Sequence, residues 1–254
     1  MLLEEETKTN IDNQNNVIDI TPKDSKSISL LKKIFLAVTG IPGLFVISLI
    51  ISLIVLFVNG MQDTPEATGI TDFVTYGVLL VALLGILNKD IIKFKEDFKR
   101  WTDVLIGVAF GIGLIVIPIL YNLLVQQFYP LEVSDNEAGL RSFIGIYPVC
   151  SVIFLGIVGP VCEELTYRVG LFGIFNNKKL KWLGYLLSIL VFTFMHFNFA
   201  SANIVGELIN LPNYLICAVL LTVAYDKFGF GASLTAHSLN NLYAVIAFLI
   251  TSKL

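Results

Sequence analysis

GPVCEELTYR, residues 159–168, places two adjacent carboxylates and a guanidinium, Glu163, Glu164 and Arg168, in the middle of an apolar run. The run extends from about residue 142 to 172, more than the ~20 residues that cross ~30 Å of hydrocarbon. A charge near the bilayer centre costs roughly 2.5–3.5 kcal/mol even on the lenient insertion scale, so three in one run need partners and a protein interior to face. On a helix Glu164 and Arg168 are one turn apart with the acid first, the favourable order for an ion pair on one face. Glu163 points about 100° away from Glu164 and needs another partner.

The rest of the chain has the same solvent. Its 254 residues are 56% hydrophobic and 15% charged, with a mean hydropathy of +0.79, too apolar for an ordinary soluble domain. Apolar runs recur at about 30–58, 70–87, 104–128, 142–172, 181–198, 208–225 and 231–251. The first and fourth exceed one span and must tilt or extend into water. A bilayer admits only helices and closed barrels, and these runs lack the alternation of barrel strands, so the fold class is all-α, a polytopic transmembrane helical bundle of about seven spans. Residues 1–28 are polar and poor in aromatics and read as a disordered cytoplasmic tail, with 29–254 as a single transmembrane domain. The tail lacks the basic and apolar regions of a cleavable signal peptide, so the first span is expected to direct insertion.

Orientation follows from the basic residues. Lys32 and Lys33, the segment 89–100 with four lysines and Arg100, and Lys178, Lys179 and Lys181 all fall on one side of this pattern. The opposite loops hold little beyond Arg141, so the positive-inside rule puts the N-terminus in the cytoplasm and the C-terminus outside the membrane. The stretch IIKFKEDFKRW, 91–101, alternates apolar and basic residues and reads either as a helix along the inner membrane surface or as a solvated connector. Cys150, Cys162 and Cys217 lie in apolar segments without CxxC spacing, which argues for packing rather than disulfides or a zinc ribbon. The net charge of -3 and the lack of any nucleotide-binding loop point to no nucleic-acid partner.

Away from the span ends the remaining ionisable groups are His196 and His237, the only histidines of the chain, the latter followed one turn later by Asn241. Their imidazoles are the obvious partners for Glu163, and Phe192, one turn before His196, can wall the pocket they form. Pro160 has no N–H and leaves the carbonyl of Gly156 without its helical partner, so the helix is expected to kink or widen one turn before Glu163, either lining a cavity or as a packing feature. A lone membrane histidine is commonly an interhelical hydrogen bond; paired carboxylates, two histidines and HxxxN on separate spans favour catalysis.

These residues also resemble a known family. EELTYR at 163–168 matches EExxxR, FTFMH at 192–196 matches FxxxH and HSLNN at 237–241 matches HxxxN, as in the CPBP intramembrane proteases, which include CAAX prenyl endopeptidases and Abi proteins linked to bacteriocin self-immunity. The similarity covers about 142–251. It implies that Glu163 and His196 activate a water, that His237 and Asn241 stabilise the oxyanion, and that Glu164 and Arg168 support them. It also implies a peptide or membrane-protein substrate, with the lipid bilayer as the remaining partner. A cofactor is not expected; if a metal takes part, Zn on Glu163, His196 and His237 is the candidate, although HExxH is absent.

The reading is an intramembrane endopeptidase in a plasma membrane, with a cavity expected to open to the cytoplasm. A non-enzymatic immunity or regulatory binding protein of the Abi type is the alternative, and a proton-relaying transporter ranks behind both for want of inverted repeats.

Overall fold

The computed structural model describes residues 28–62 and 64–252, and among them every regular element is helical. The expected tail lies outside the described residues except for Ile28, which is packed in an apolar cluster with Leu36, Leu83 and Phe172. Ser29 then caps α1 (Leu30–Gly40), its hydroxyl accepting from the Lys32 N–H. Pro42 opens α2 (Pro42–Val58), and the pair bends by 41° where proline interrupts the ladder. α3 (Pro65–Leu87) is capped by Thr64 and runs through a 3-10 turn, Asn88–Ile91, into the short α4 (Ile92–Lys99). There follow α5 (Trp101–Val125), α6 (Asp135–Ile146), α7 (Pro148–Phe175), α8 (Lys181–Met195), α9 (Ile204–Phe228) and α10 (Phe230–Thr251).

Five of these segments are long and apolar enough to cross a membrane, α3 with α4, α5, α7, α9 and α10, and six if the bent α1–α2 pair is one span. The expected count of about seven is not reached among the described residues, because α8 falls short. Its 15 residues reach only about 22 Å, short of ~30 Å of hydrocarbon. The expected fourth span is also divided: its first residues belong to α6, and Tyr147 breaks the chain before Pro148 starts α7. Large apolar side chains such as Leu49, Phe57, Val149 and Trp182 cover the exterior, as lipid contact requires.

Contacts between helix termini define two ends of the bundle. At the first, Lys32 meets Asp90, the Lys33 ammonium donates to the Gly173 carbonyl, Lys181 meets Asp226 at 2.6 Å, and Asp97 accepts from the Phe230 N–H at 2.9 Å. All the lysine-rich segments lie here. α4 is an anchored helix rather than a loose connector: Phe94 is buried against Phe230, and Asp97 caps the start of α10 after Gly229, whose φ of +88° suits glycine.

At the other end, Glu207 on α9 accepts from the Asp135 N–H at 2.7 Å and the Asn198 N–H at 3.2 Å, and Ser134 shares a hydrogen bond with Tyr214 at 2.7 Å. Between the ends, α5 and α10 pack closely. A Cβ at Gly107 would stand 2.6 Å from the Ala232 carbonyl oxygen, and one at Gly111 2.8 Å from Leu239, so GxxxG spacing lets the backbones meet.

Candidate active site

α7 carries the acids on an irregular backbone. Phe154–Val158 and Glu164–Phe172 are π-helical, with the Gly159 N–H reaching Phe154 O and the Gly173 N–H reaching Arg168 O, five residues back. In that wider register Pro160, which has no N–H, stands opposite the Leu155 carbonyl. Asn241 Nδ2 supplies the missing donor at 3.0 Å. The orphan expected at Gly156 therefore sits one residue earlier, because the register is i→i+5 and not i→i+4.

The two carboxylates have separate surroundings. Glu164 and Arg168 are fully buried and paired at 3.3 Å; Glu164 also takes His237 Nδ1 at 2.8 Å and the Ser233 hydroxyl. The Arg168 guanidinium lies over the Phe192 ring at 4.5 Å. Glu163 faces the other way. Its Oε2 is 3.6 Å from His237 Nε2 and 3.9 Å from His196 Nε2, and makes no hydrogen bond.

His196 follows the last turn of α8, so its ring sits at the depth where that short helix stops. Its Nδ1 contacts the Phe192 carbonyl at 2.8 Å, and the ring is held between Phe192, 4.5 Å away, and Tyr214, 5.2 Å away and nearly parallel. A carbonyl only accepts, so Nδ1 is the donor in His196, and the Glu164 carboxylate sets the same polarity in His237. Both Nε2 atoms are thus presented to one carboxylate oxygen.

Every residue singled out in the sequence is accounted for by this arrangement: Glu163, His196 and His237 meet; Glu164, Arg168 and Phe192 support their rings; Asn241 binds the α7 backbone beside them. Ser233 and Tyr214 are additions. Ser233 was within reach of sequence reasoning, because SxxxH puts it one turn before His237 on the same face. Tyr214 carries no such signal, since its contact with His196 depends on how two helices cross.

The three groups form the floor of a cavity of about 910 Å³. Its wall includes Asp72 and Tyr76 of α3, Asn122 of α5, most of α6 between Asp135 and Ile144, Asn213 and Tyr214 of α9, and the later turns of α10 with Ser252 just beyond them. None of the lysine-rich segments contributes. Below the floor, Arg168, Phe172, Leu165 and Tyr225 are buried. The expectation of a cavity open at the lysine-rich end is thereby corrected; it opens at the opposite end. Glu, His and His are ligands that zinc accepts, yet among the described residues no three His, Cys, Asp or Glu side chains are placed to hold a metal ion.

Known proteins are similar to this chain over the stretch that carries these residues. The family model described as type II CAAX prenyl endopeptidase Rce1-like matches residues 145–243, a stretch that contains the acids and both histidines. Among relatives from Lactococcus lactis subsp. lactis (strain IL1403), UPF0177 protein YbdI is 31% identical over 130 residues, 48% of this chain and 70% of its own. The chain belongs to the UPF0177 family of Rce1-like, CPBP-type membrane proteins. UPF0177 protein YxdF is 28% identical over 169 residues, 65% of this chain and 89% of its own; for YajF the values are 23%, 179, 67% and 83%. No solved structure matches this UPF0177 protein.

Proposed function

We propose that the protein is an intramembrane endopeptidase that hydrolyses a peptide bond in a membrane-associated peptide or protein. The observation that carries this reading is the single Glu163 oxygen faced by two histidine Nε2 atoms on the cavity floor. With His237 protonated from solvent before substrate enters, the Glu163 oxygen and His196 Nε2 are two acceptors for a water, which donates to both and keeps a lone pair for the peptide carbonyl. As the water oxygen bonds to the carbonyl carbon, Glu163 with His196 takes its proton, which then passes to the departing amine.

His237 and Asn241 serve the oxyanion. A proton on His237 Nε2 makes that atom a donor, with Glu164 facing the resulting positive charge at Nδ1. Asn241 has a second amide N–H besides the one given to Leu155 O. A single oxyanion donor contributes about 2.7–4 kcal/mol to the transition state. The mechanism routes no step through a metal, so cleavage is expected to survive exhaustive chelation; loss on chelation with recovery on added Zn would require the metal-dependent scheme.

The positive-inside pattern supports an orientation with the lysine-rich end in the cytoplasm of a bacterial cell. Purified protein in lipid should release fragments from a peptide that accumulates uncut in cells lacking the protein, and folded Glu163→Ala and His237→Ala variants should not. Persistent cleavage by both variants would reject the assignment. Loss of cleavage by every form while a partner still binds would favour the immunity or regulatory role.

A further inference from the structure

We infer that the substrate is an extracytoplasmic peptide segment with a basic side chain, and that Asp72 recognises that side chain. This rests on the proposed hydrolysis and adds the side of access and the chemistry of the substrate. The cavity wall is built mainly from the half of the bundle opposite the lysines, with no residue of the lysine-rich segments, while a buried core lies in the other direction. With the lysine-rich end in the cytoplasm, the scissile bond can reach Glu163 only from outside.

The charge of the wall selects what descends it. Arg141 is held by Glu137 through Nε at 3.0 Å and Nη2 at 2.6 Å, and Asp135 accepts from Asn198 Nδ2 at 2.7 Å. Asp72 is different. It is exposed in the cavity wall, about 10 Å along α3 from Pro65, and no hydrogen bond or ion pair to it occurs among the described residues. An ionisable group inside a spanning helix marks a substrate path, and an unmatched carboxylate there is complementary to an ammonium or guanidinium.

Cys162 Sγ meets the Tyr76 carbonyl at 3.8 Å, so Glu163 lies near the level of Tyr76, one turn or about 6 Å deeper along α3 than Asp72. An extended peptide covers that difference in about two residues. A basic residue at that distance from the scissile bond would therefore reach Asp72 as the carbonyl reaches Glu163.

The test uses the full chain in sealed right-side-out and inside-out vesicles, with Ala/Leu decapeptides in which one Lys or one Glu is walked along the sequence, and mass spectrometry to locate the cuts. Cleavage should be confined to right-side-out vesicles, favour Lys over Glu peptides by about tenfold, and move in register with the Lys. Asp72→Asn should remove the preference, and Asp72→Lys should turn it towards Glu. Cuts from the inside-out face only, or cut sites indifferent to the Lys and to Asp72, would overturn the proposal.

Glu163-dependent cleavage in detergent separates its failure from that of the protease reading, since loss of that activity removes both. Access has an independent readout. In a Cys150→Ala background, Gly139→Cys, whose added Cβ meets nothing within 4 Å, should react with a membrane-impermeant maleimide in intact cells; protection there counts against access from outside.

Discussion

Two neighbouring glutamates on one helix perform opposite duties, and substitution should separate them. Glu164→Gln leaves the fully buried Arg168 without its counter-charge, and removing one partner of a buried pair costs about 3–5 kcal/mol, which thermal unfolding in detergent should register. Glu163→Gln is nearly isosteric, and the oxygen it alters makes no hydrogen bond; stability should change by less than about 1 kcal/mol while cleavage falls by roughly 10²–10⁴-fold. Equal loss of stability in both variants would contradict the division of roles. The division is legible in the sequence, because i,i+4 spacing ties Glu164 to Arg168 and turns Glu163 elsewhere. The depth of His196 is not. It depends on α8 ending after 15 residues inside an apolar run that continues in the sequence past Phe197.

Helix irregularity and helix contact set the positions of these side chains. Pro160 announces a disturbance in α7 but not its register, since whether i→i+4 or i→i+5 prevails is decided by packing. If Asn241 replaces the donor that Pro160 lacks, the two are coupled. Asn241→Ala leaves the Leu155 carbonyl unsatisfied and should cost about 1–3 kcal/mol; in the Pro160→Ala background, where the backbone regains an N–H, the cost should be smaller. Additive losses across this double-mutant cycle would refute the coupling. A second element-level expectation concerns α10, which carries His237 and Asn241. A methyl at Gly107 meets the Ala232 carbonyl backbone at 2.6 Å, where no side chain can rotate away, so Gly107→Ala should destabilise by about 1–3 kcal/mol in the same melts. Both glycines of that contact stand in the sequence as GVAFG, yet only the folded pair identifies α10 as the helix they meet.

Across the whole molecule, the hydropathy runs make the membrane bundle and its alternation legible, whereas the side on which the cavity opens depends on which interhelical space is filled. The two ends are held by different forces. At the lysine-rich end the pairs are partly exposed to solvent: Lys181 is 38% exposed at its side chain, and Asp226 keeps Tyr185 at 2.9 Å and Lys227 at 3.6 Å if Lys181 is lost. Lys181→Ala should therefore change stability by less than about 1 kcal/mol, and added salt should reduce even that. At the cavity end Glu207, 1% exposed, joins α6, α9 and the segment just after His196 through two backbone N–H groups. Glu207→Ala strands those donors in a buried place at about 1–3 kcal/mol, and the effect must appear where they are. Hydrogen exchange at the Asp135 and Asn198 amides should accelerate by about tenfold or more, with the lysine-rich end unchanged. Because Asn198 is two residues from His196, cleavage should fall in parallel; exchange that rises evenly along the chain would mean that Glu207 supports the bundle generally and not the position of that histidine.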